Sequence, residues 1–254
     1  MPRCARQKSE SGIFHIIFRG VNKQIIFEDE EDIQRFIDTL EKYKTVCGYQ
    51  IFGYCLMSNH IHLLIKEKEE ISKIVKRICS SYVYWYNRKY RRCGHLFQER
   101  YGSECIETDG YLQTVLRYIH QNPIKAGVVS NINRYDWSSY KSYITTERKG
   151  GIEDIDFVLN IFSEDRAKAV KLFIEHTEKN NNDTCLEIEE NTSVSDIEIL
   201  KKIKSIGIQT VSQLQSMDRG ERNKLLREIK LISGVTIRQI SRVTGISKSV
   251  IGRA

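Results

Sequence analysis

Proline is nearly absent from this sequence: Pro2 and Pro123 are the only two in 254 residues. A chain so poor in proline can carry long helices, and Pro123 is expected to mark a deliberate break. No run of 18 apolar residues occurs, so no membrane-spanning helix is expected. Residues Met1 to Gly12 are basic and polar without an apolar stretch, so no signal peptide is expected either. The seven cysteines are odd in number, far apart, and include no C-x-x-C pair. That argues against a zinc ribbon or a secreted disulfide scaffold. It points to a reducing, cytoplasmic setting in which cysteines serve as small buried hydrophobes.

What is present is the balance of a folded globular chain, 40% apolar and 29% charged. The length suits one large or two small domains. The net charge of +7 is spread unevenly. Residues 1–145 hold 22 basic and 16 acidic groups, residues 146–198 hold 6 and 14, and residues 199–254 hold 12 and 3. Two basic blocks thus flank an acidic one. Basic blocks suit a polyanion such as nucleic acid, although ordinary solvated helix faces account for the same counts.

Ile13 to Arg19 is β-branched and aromatic and predicts a strand. Glu28 to Cys47 predicts an amphipathic helix, with Ile33, Phe36, Ile37, Leu40 and Tyr43 at helical spacing and Gly48 as its stop. Tyr49 to Met57 and His60 to Lys66 predict two strands joined by a tight turn at Ser58-Asn59. Ser72 to Arg92 predicts a long helix, its apolar side Ile74, Val75, Ile78, Tyr82, Trp85 and Tyr86. Phe97 to Ile106 predicts a strand, and Thr108 or Asp109 caps a helix running to Asn122 and stopping before Pro123. This β-α-β-β-α-β-α order is that of an α+β, ferredoxin-like antiparallel sheet with helices. A short helical pair follows near 156–162 and 165–176, then a polar, acidic linker from Glu178 to Ser195, then a small all-α C-terminal domain. The expected boundaries are 1–145, 146–196 and 197–254.

His60-Ile61-His62 lies in the second of the paired strands. Side chains at i and i+2 share a face, so the two imidazoles converge while Ile61 turns into the core. Two such imidazoles can chelate a divalent metal; two structural histidines would give the same pattern. His15, His95 and His120 read as structural. On the predicted helix after Thr108, Tyr118 and Asn122 stand at i and i+4 on one face, with Tyr111 one heptad earlier. A half-buried core tyrosine followed by a capping asparagine is the alternative.

Four runs occur in one order: Phe18-Arg-Gly-Val-Asn22, Cys55-Leu-Met-Ser-Asn-His60-Ile-His62-Leu-Leu-Ile65, Arg117-Tyr118-Ile-His-Gln-Asn122-Pro-Ile-Lys-Ala-Gly127 and Trp137-Ser-Ser-Tyr140. Together they resemble the HUH single-tyrosine transposase family, in its REP-associated branch. The resemblance covers residues 1–145 with specific motifs and extends more loosely over 146–254. It implies that His60 and His62 hold a metal, that Tyr118 is the nucleophile, and that Asn122 is the third metal ligand. In shorter relatives that ligand is more often glutamine, one methylene longer. The implied metal is Mg²⁺ or Mn²⁺, since a mixed imidazole and amide set favours neither strongly. The implied reaction is cleavage and rejoining of single-stranded hairpin DNA through a 5′-phosphotyrosine, by a monomer or homodimer.

Cations and aromatics interleave at residues 82–92. Arg88, Lys89, Arg91 and Arg92 are candidates for phosphate contact, whereas Trp85 and Tyr86 suit the core. Arg3, Arg6 and Lys8 form a basic arm with a similar candidate role. From Thr236 the chain has helix-turn-helix character: Ile237, Ile240 and Val243 inward, Gly245 at the turn, Ser247 as cap. Arg238, Lys248 and Arg253 are its candidate contacts to duplex DNA, and its last turn is expected to be weakly held. A helical bundle for packing is the competing reading of this tail. For the whole chain, the alternatives to a transposase are a domesticated DNA-binding regulator and a nickase that does not rejoin strands.

Overall fold

A computed structural model describes residues 8–98, 101–145, 151–186, 196–205, 207–208, 211–232 and 235–254. The chain divides into two units, Met1–Ile188 and Glu189–Ala254. The first is built on a four-stranded antiparallel sheet. Its strands are β1 (Ile13–Arg19), β2 (Gln50–Leu56), β3 (His60–Lys66) and β4 (Gly102–Cys105), in the order β2-β3-β1-β4. Helices α1 (Glu30–Cys47), α2 (Ile71–Lys89) and α3 (Asp109–Lys125) complete the expected β-α-β-β-α-β-α order.

Alternation along the strands gives the sheet two apolar faces. Phe14, Ile16, Phe18, Ile61, Leu63 and Ile65 face α1 and α2, meeting Phe36, Leu40, Ile74 and Ile78. Ile13, Phe52, Cys55 and Leu64 face α3, meeting Leu112, Val115, Leu116 and Ile119. The strand β2 carries a bulge between Ile51 and Gly53. A Cβ on Gly53 would stand 2.4 Å from Leu116 Cδ1, so the absent side chain is what lets α3 lie this close to the sheet. Ser58 and Asn59 make the expected tight connection, closed by the Met57 amide on the His60 carbonyl at 2.9 Å.

Several boundaries differ from expectation. Among the described residues, the predicted strand from Phe97 is realised as β4 and an isolated bridge between Gly20 and Phe97; positions 99 and 100 of that expectation lie outside them. The long helix α2 stops at Lys89, so Arg91 and Arg92 lie beyond it, Arg91 with a φ of +50°. Pro123 does not end α3, which continues to Lys125. The proline has no N–H to give the Ile119 carbonyl, yet the helix runs through it. The stop is set by Gly127, whose φ is +68°. Val128 N–H reaches the Pro123 carbonyl and Gly127 N–H the Ile124 carbonyl, both at 2.9 Å, the paired bonds of a Schellman end. Cys93 is exposed rather than buried.

The acidic block does not start a separate segment at residue 146. Its helices α5 (Ile155–Phe162) and α6 (Arg166–Glu178) follow α4 (Tyr140–Ile144) and put Val158, Leu159, Ala169 and Phe173 into the same core as α3. Described residues as far as Leu186 therefore belong to the first unit, because an apolar stripe at helical spacing buries itself whatever the charge around it. Trp137 to Ser139 lie against the outer strand: Leu56 N–H reaches the Trp137 carbonyl at 2.9 Å and Ser139 N–H the Tyr54 carbonyl at 3.0 Å.

Among its described residues the second unit is helical: α7 (Asp196–Ser205), α8 (Val211–Ser216), α9 (Arg219–Lys230), α10 (Ile237–Thr244) and α11 (Lys248–Arg253). Ile199, Ile203, Leu214, Leu226, Ile229, Ile240, Ile246 and Ile251 form its core. Gly245 makes the turn between α10 and α11. Two details depart from expectation. Ile237 is 41% exposed, and Thr244 is buried in its stead. Ser247 occupies the cap position, but its hydroxyl pairs with Ser249 at 3.1 Å rather than with the helix backbone. The last turn is held, since Arg227 Nε donates to the Ala254 carbonyl at 2.7 Å and Lys230 Nζ to the Ile251 carbonyl at 3.2 Å.

Candidate active site

The site lies on the α3 face of the sheet. There β3 presents His60 and His62 on one side of the strand, while Ile61 is fully buried on the other. The two rings stand 5.1 Å apart, nearly perpendicular. From α3, Tyr118 brings its ring to 5.8 Å from His62, and Asn122 brings Oδ1 to 3.5 Å from His60 Nε2. The four residues expected to act together are thus brought together. Thr108 starts α3 by accepting a bond from the Tyr111 amide at 3.2 Å, which fixes the helix phase and so the face that carries Tyr118 and Asn122.

Hydrogen bonds orient the polar atoms. His60 Nδ1 is 2.7 Å from Asn59 Oδ1, an acceptor, so Nδ1 carries the proton and Nε2 is left with a lone pair. Asn122 Nδ2 donates to the Tyr118 carbonyl at 3.4 Å, which turns Oδ1 towards His60. Two acceptors therefore face each other. Burial holds His60 below the usual histidine range; the Asn122 contact works against this and nearby Arg19 adds to it. Burial pushes His62 well below that range, with His15 and His60 adding to the effect. Both rings are neutral at pH 7, the form that ligates metals.

Whether a metal fits here follows from the donor set. A lone pair on His60 Nε2 and one on Asn122 Oδ1 repel unless a cation or proton lies between them, and burial disfavours the proton. At 3.5 Å the two acceptors are close enough to be donors to one shared ion. The residues fit a divalent cation. Among the described residues no group of three or more His, Cys, Asp or Glu side chains forms a metal cluster, so this mixed imidazole and amide set is the candidate.

The nucleophile candidate Tyr118 is only 4% exposed, and the Lys125 ammonium lies 4.6 Å from its ring centre. Sequence reasoning did not single out Lys125, although its i+7 spacing from Tyr118 places it on the same helix face.

His15, expected to be structural, stands at the site. Its Nε2 is 3.0 Å from His62 Nδ1, and its ring is 6.1 Å from Tyr118. Its Nδ1 is 3.5 Å from Glu104 Oε2. Tyr111 in turn donates to Glu104 Oε1 at 2.5 Å. The signal was available in principle: His15 shares its strand face with Ile13 and Ile17 rather than with Phe14 and Ile16. Only the register of β1 on β3, however, lines it up with His62. His120 is the structural histidine expected, fully buried and 2.7 Å from Ser139 Oγ. His95 is exposed and remote from these contacts.

The candidate phosphate contacts divide. Arg88 and Arg91 are exposed. Lys89 is committed instead to Asp29, Glu31 and buried Asp32, each at 2.8 Å. Arg92 donates to Gln24 Oε1 at 3.0 Å and lies over the Tyr86 ring. Tyr82 and Tyr86 are fully buried and Trp85 is packed against the core, whereas Tyr84 is 71% exposed. Arg3 and Arg6 lie outside the described residues, and Lys8 is exposed. In the second unit, Arg238, Lys248 and Arg253 are all exposed.

Comparison with known proteins gives one consistent result. The family model described as "Transposase IS200 like" matches residues 8–122. Over 133 residues the chain is 29% identical to a protein of Haemophilus influenzae named "Putative REP-associated tyrosine transposase", covering 44% of this chain and 75% of that protein. The fold is similar to a solved REP-associated tyrosine transposase bound to a REP hairpin, with a TM-score of 0.50 at 17% identity, covering 61% of this chain and 90% of that one. At that identity the likeness is one of fold. The stretch that matches the IS200-like transposase family, residues 8–122, is the one that carries both histidines, the tyrosine and the asparagine.

Proposed function

We propose that the protein cleaves and rejoins single-stranded, hairpin-marked DNA in a reaction dependent on Mg²⁺ or Mn²⁺, with Tyr118 as nucleophile. The observation that carries this reading is the opposed pair of acceptors, His60 Nε2 on β3 and Asn122 Oδ1 on the helix that bears Tyr118, set 3.5 Å apart. His60, His62 and Asn122 would hold the ion. Bound there, it would neutralise a non-bridging phosphate oxygen and orient the phosphate for in-line attack.

The chain's own residues supply the rest. Tyr118 Oη attacks phosphorus, forming a 5′-phosphotyrosine. The 3′ oxygen leaves and takes up a proton, and the phenol loses one. Lys125, close to the ring, stabilises the phenolate as charge develops. The covalent bond conserves the phosphodiester energy, so a second 3′-hydroxyl can rejoin the strand without ATP. Exposed Arg88 and Arg91 lead the candidates for backbone contact, and Tyr84 offers a ring for base stacking. In the second unit, Arg238, Lys248 and Arg253 are proposed to contact duplex DNA from a helix-turn-helix.

The test is to incubate the purified chain with labelled hairpin DNA and Mn²⁺ and to look for a covalent adduct. The adduct is expected for the wild type and absent for Tyr118→Phe, with hairpin binding retained. An adduct from Tyr118→Phe overturns the assignment of the nucleophile. Absence of any adduct with either metal favours a DNA-binding regulator, and cleavage without joined product favours a nickase.

A further inference from the structure

Three strands place three ionisable side chains in file on one face of the sheet. Glu104 of β4 stands directly opposite His15 of β1. His62 of β3 stands opposite Ile17, one step along the same face from His15. His15 Nε2 reaches His62 Nδ1 at 3.0 Å, and His15 Nδ1 faces Glu104 Oε2 at 3.5 Å. Both histidines are buried, His15 completely.

The proton positions in this file are constrained from its far end. Tyr111 Oη donates to Glu104 Oε1 at 2.5 Å, and the Leu186 amide donates to Oε2 at 3.2 Å. Two donors keep Glu104 an ionised acceptor. No hydrogen bond holds His15 Nδ1, but a bare ring nitrogen 3.5 Å from the carboxylate would be repelled by it, which favours an N–H on that side. With the proton on Nδ1, His15 Nε2 is an acceptor. His62 Nδ1, which faces it, must carry the proton in turn. The one nitrogen of His62 left with a lone pair is Nε2. The opposite arrangement, with Nε2 of both rings protonated, sets a buried acceptor of His15 against the half-buried carboxylate.

We propose that Glu104 and His15 are positioning residues that fix His62 as the Nδ1–H tautomer, so that its Nε2 is presented to the divalent cation. The inference rests on the metal-site reading for its purpose, but the tautomer is a property of the chain alone. A ligating histidine is commonly oriented through its second nitrogen, and loss of such a partner costs about 10–100-fold in metal affinity. His60 has its own partner in Asn59, so the two imidazoles are fixed independently.

The experiment uses the full chain labelled with ¹⁵N-histidine. Long-range ¹H–¹⁵N spectra of the metal-free protein are expected to show His62 and His15 both as Nδ1–H tautomers. His62 as Nε2–H overturns the proposal. Glu104→Gln is expected to move the His62 ring nitrogens towards a mixed population and to weaken Mn²⁺ binding about 10–100-fold, followed by the EPR signal of free Mn²⁺, with the thermal midpoint close to wild type. His15→Phe is expected to act in the same direction on affinity. A Glu104→Gln protein with wild-type ring shifts and wild-type Mn²⁺ affinity overturns the relay. If wild-type protein has the expected tautomers but binds no Mn²⁺, the relay as a tautomer-fixing device stands and the metal-site reading falls.

Discussion

Arg117 holds Asp183 by two parallel bonds, Nε to Oδ2 at 2.7 Å and Nη2 to Oδ1 at 3.0 Å. One partner is the residue before Tyr118, and the other lies in the stretch that composition assigns to a linker. Gln121 adds bonds to the Thr177 and Lys179 carbonyls, and Asn181 donates to Gln121 Oε1 at 2.8 Å. The segment after α6 is therefore tied to the helix that carries the nucleophile. Asp183→Ala leaves a mostly buried guanidinium without its fork and is expected to cost about 1–3 kcal/mol, measured by urea unfolding of the full chain. An unchanged midpoint would refute this role.

Lys89 separates a structural cation from a DNA-binding one. It neutralises the carboxylates at the start of α1, among them Asp32, which accepts bonds from the Glu28 and Asp29 amides. Lys89→Met is expected to lower stability by about 1–3 kcal/mol through the buried charge it strands. Hairpin affinity should stay close to wild type. Arg88→Ala and Arg91→Ala should do the reverse, each lowering the salt dependence of binding by about one unit. A Lys89 variant that is stable but binds DNA poorly would contradict the assignment.

Lys125 is expected to matter to rate rather than to binding. Its removal in Lys125→Ala should slow adduct formation at pH 7 roughly tenfold, the equivalent of about 1.4 kcal/mol in barrier. Lys125→Arg should recover most of that rate. Single-turnover adduct formation on saturating hairpin is the measurement; equal rates in all three proteins would exclude a role for the charge.

The contact between Gly53 and Leu116 sets the depth of α3. Gly53→Ala is expected to destabilise by about 1–3 kcal/mol through overpacking, because Leu116 is buried and cannot swing away. Leu116→Val in the same chain should relieve part of that cost. A double-mutant cycle from urea midpoints reads the coupling, and additive effects would mean the two sites do not press on each other.

Acid should unfold the first unit early. Burial lowers His120 to about 3. The folded state therefore leaves this ring neutral while the unfolded chain takes up a proton below about 6.5. Stability is full above pH 6.5 and falls as pH drops towards 3, by up to about 1.4 kcal/mol per pH unit for this group. His15, His60 and His62 act with the same sign. Comparing urea midpoints at pH 7 and 5, His120→Gln should lose less stability than wild type over that interval. An equal loss would assign the acid sensitivity elsewhere.

The legible parts of the sequence were those governed by local periodicity. Short β-branched and aromatic runs placed β1, β2 and β3, and the i, i+2 rule put His60 and His62 on one face. The i, i+4 rule did the same for Tyr118 and Asn122. The order of elements then limited the sheet to few topologies. Pro123 misled because a helix end depends on which carbonyls find donors, and Gly127 with Val128 supplies them four residues later. The acidic block misled because charge counts ignore the apolar stripe of Val158, Leu159, Ala169 and Phe173.

By itself, then, the sequence determined the α+β order, the pairing of ligand candidates within each element, and the uneven charge. Tertiary structure alone decided what crosses between elements. The strand register sets Glu104 opposite His15 and His15 beside His62, three residues scattered from 15 to 104 in the chain. The seat of α3 on Gly53 sets the reach from Asn122 to His60. Lys89 was a cation like its neighbours until folding buried Asp32 beneath it. Such relations depend on distances between strands and helices, which no local pattern of residues encodes.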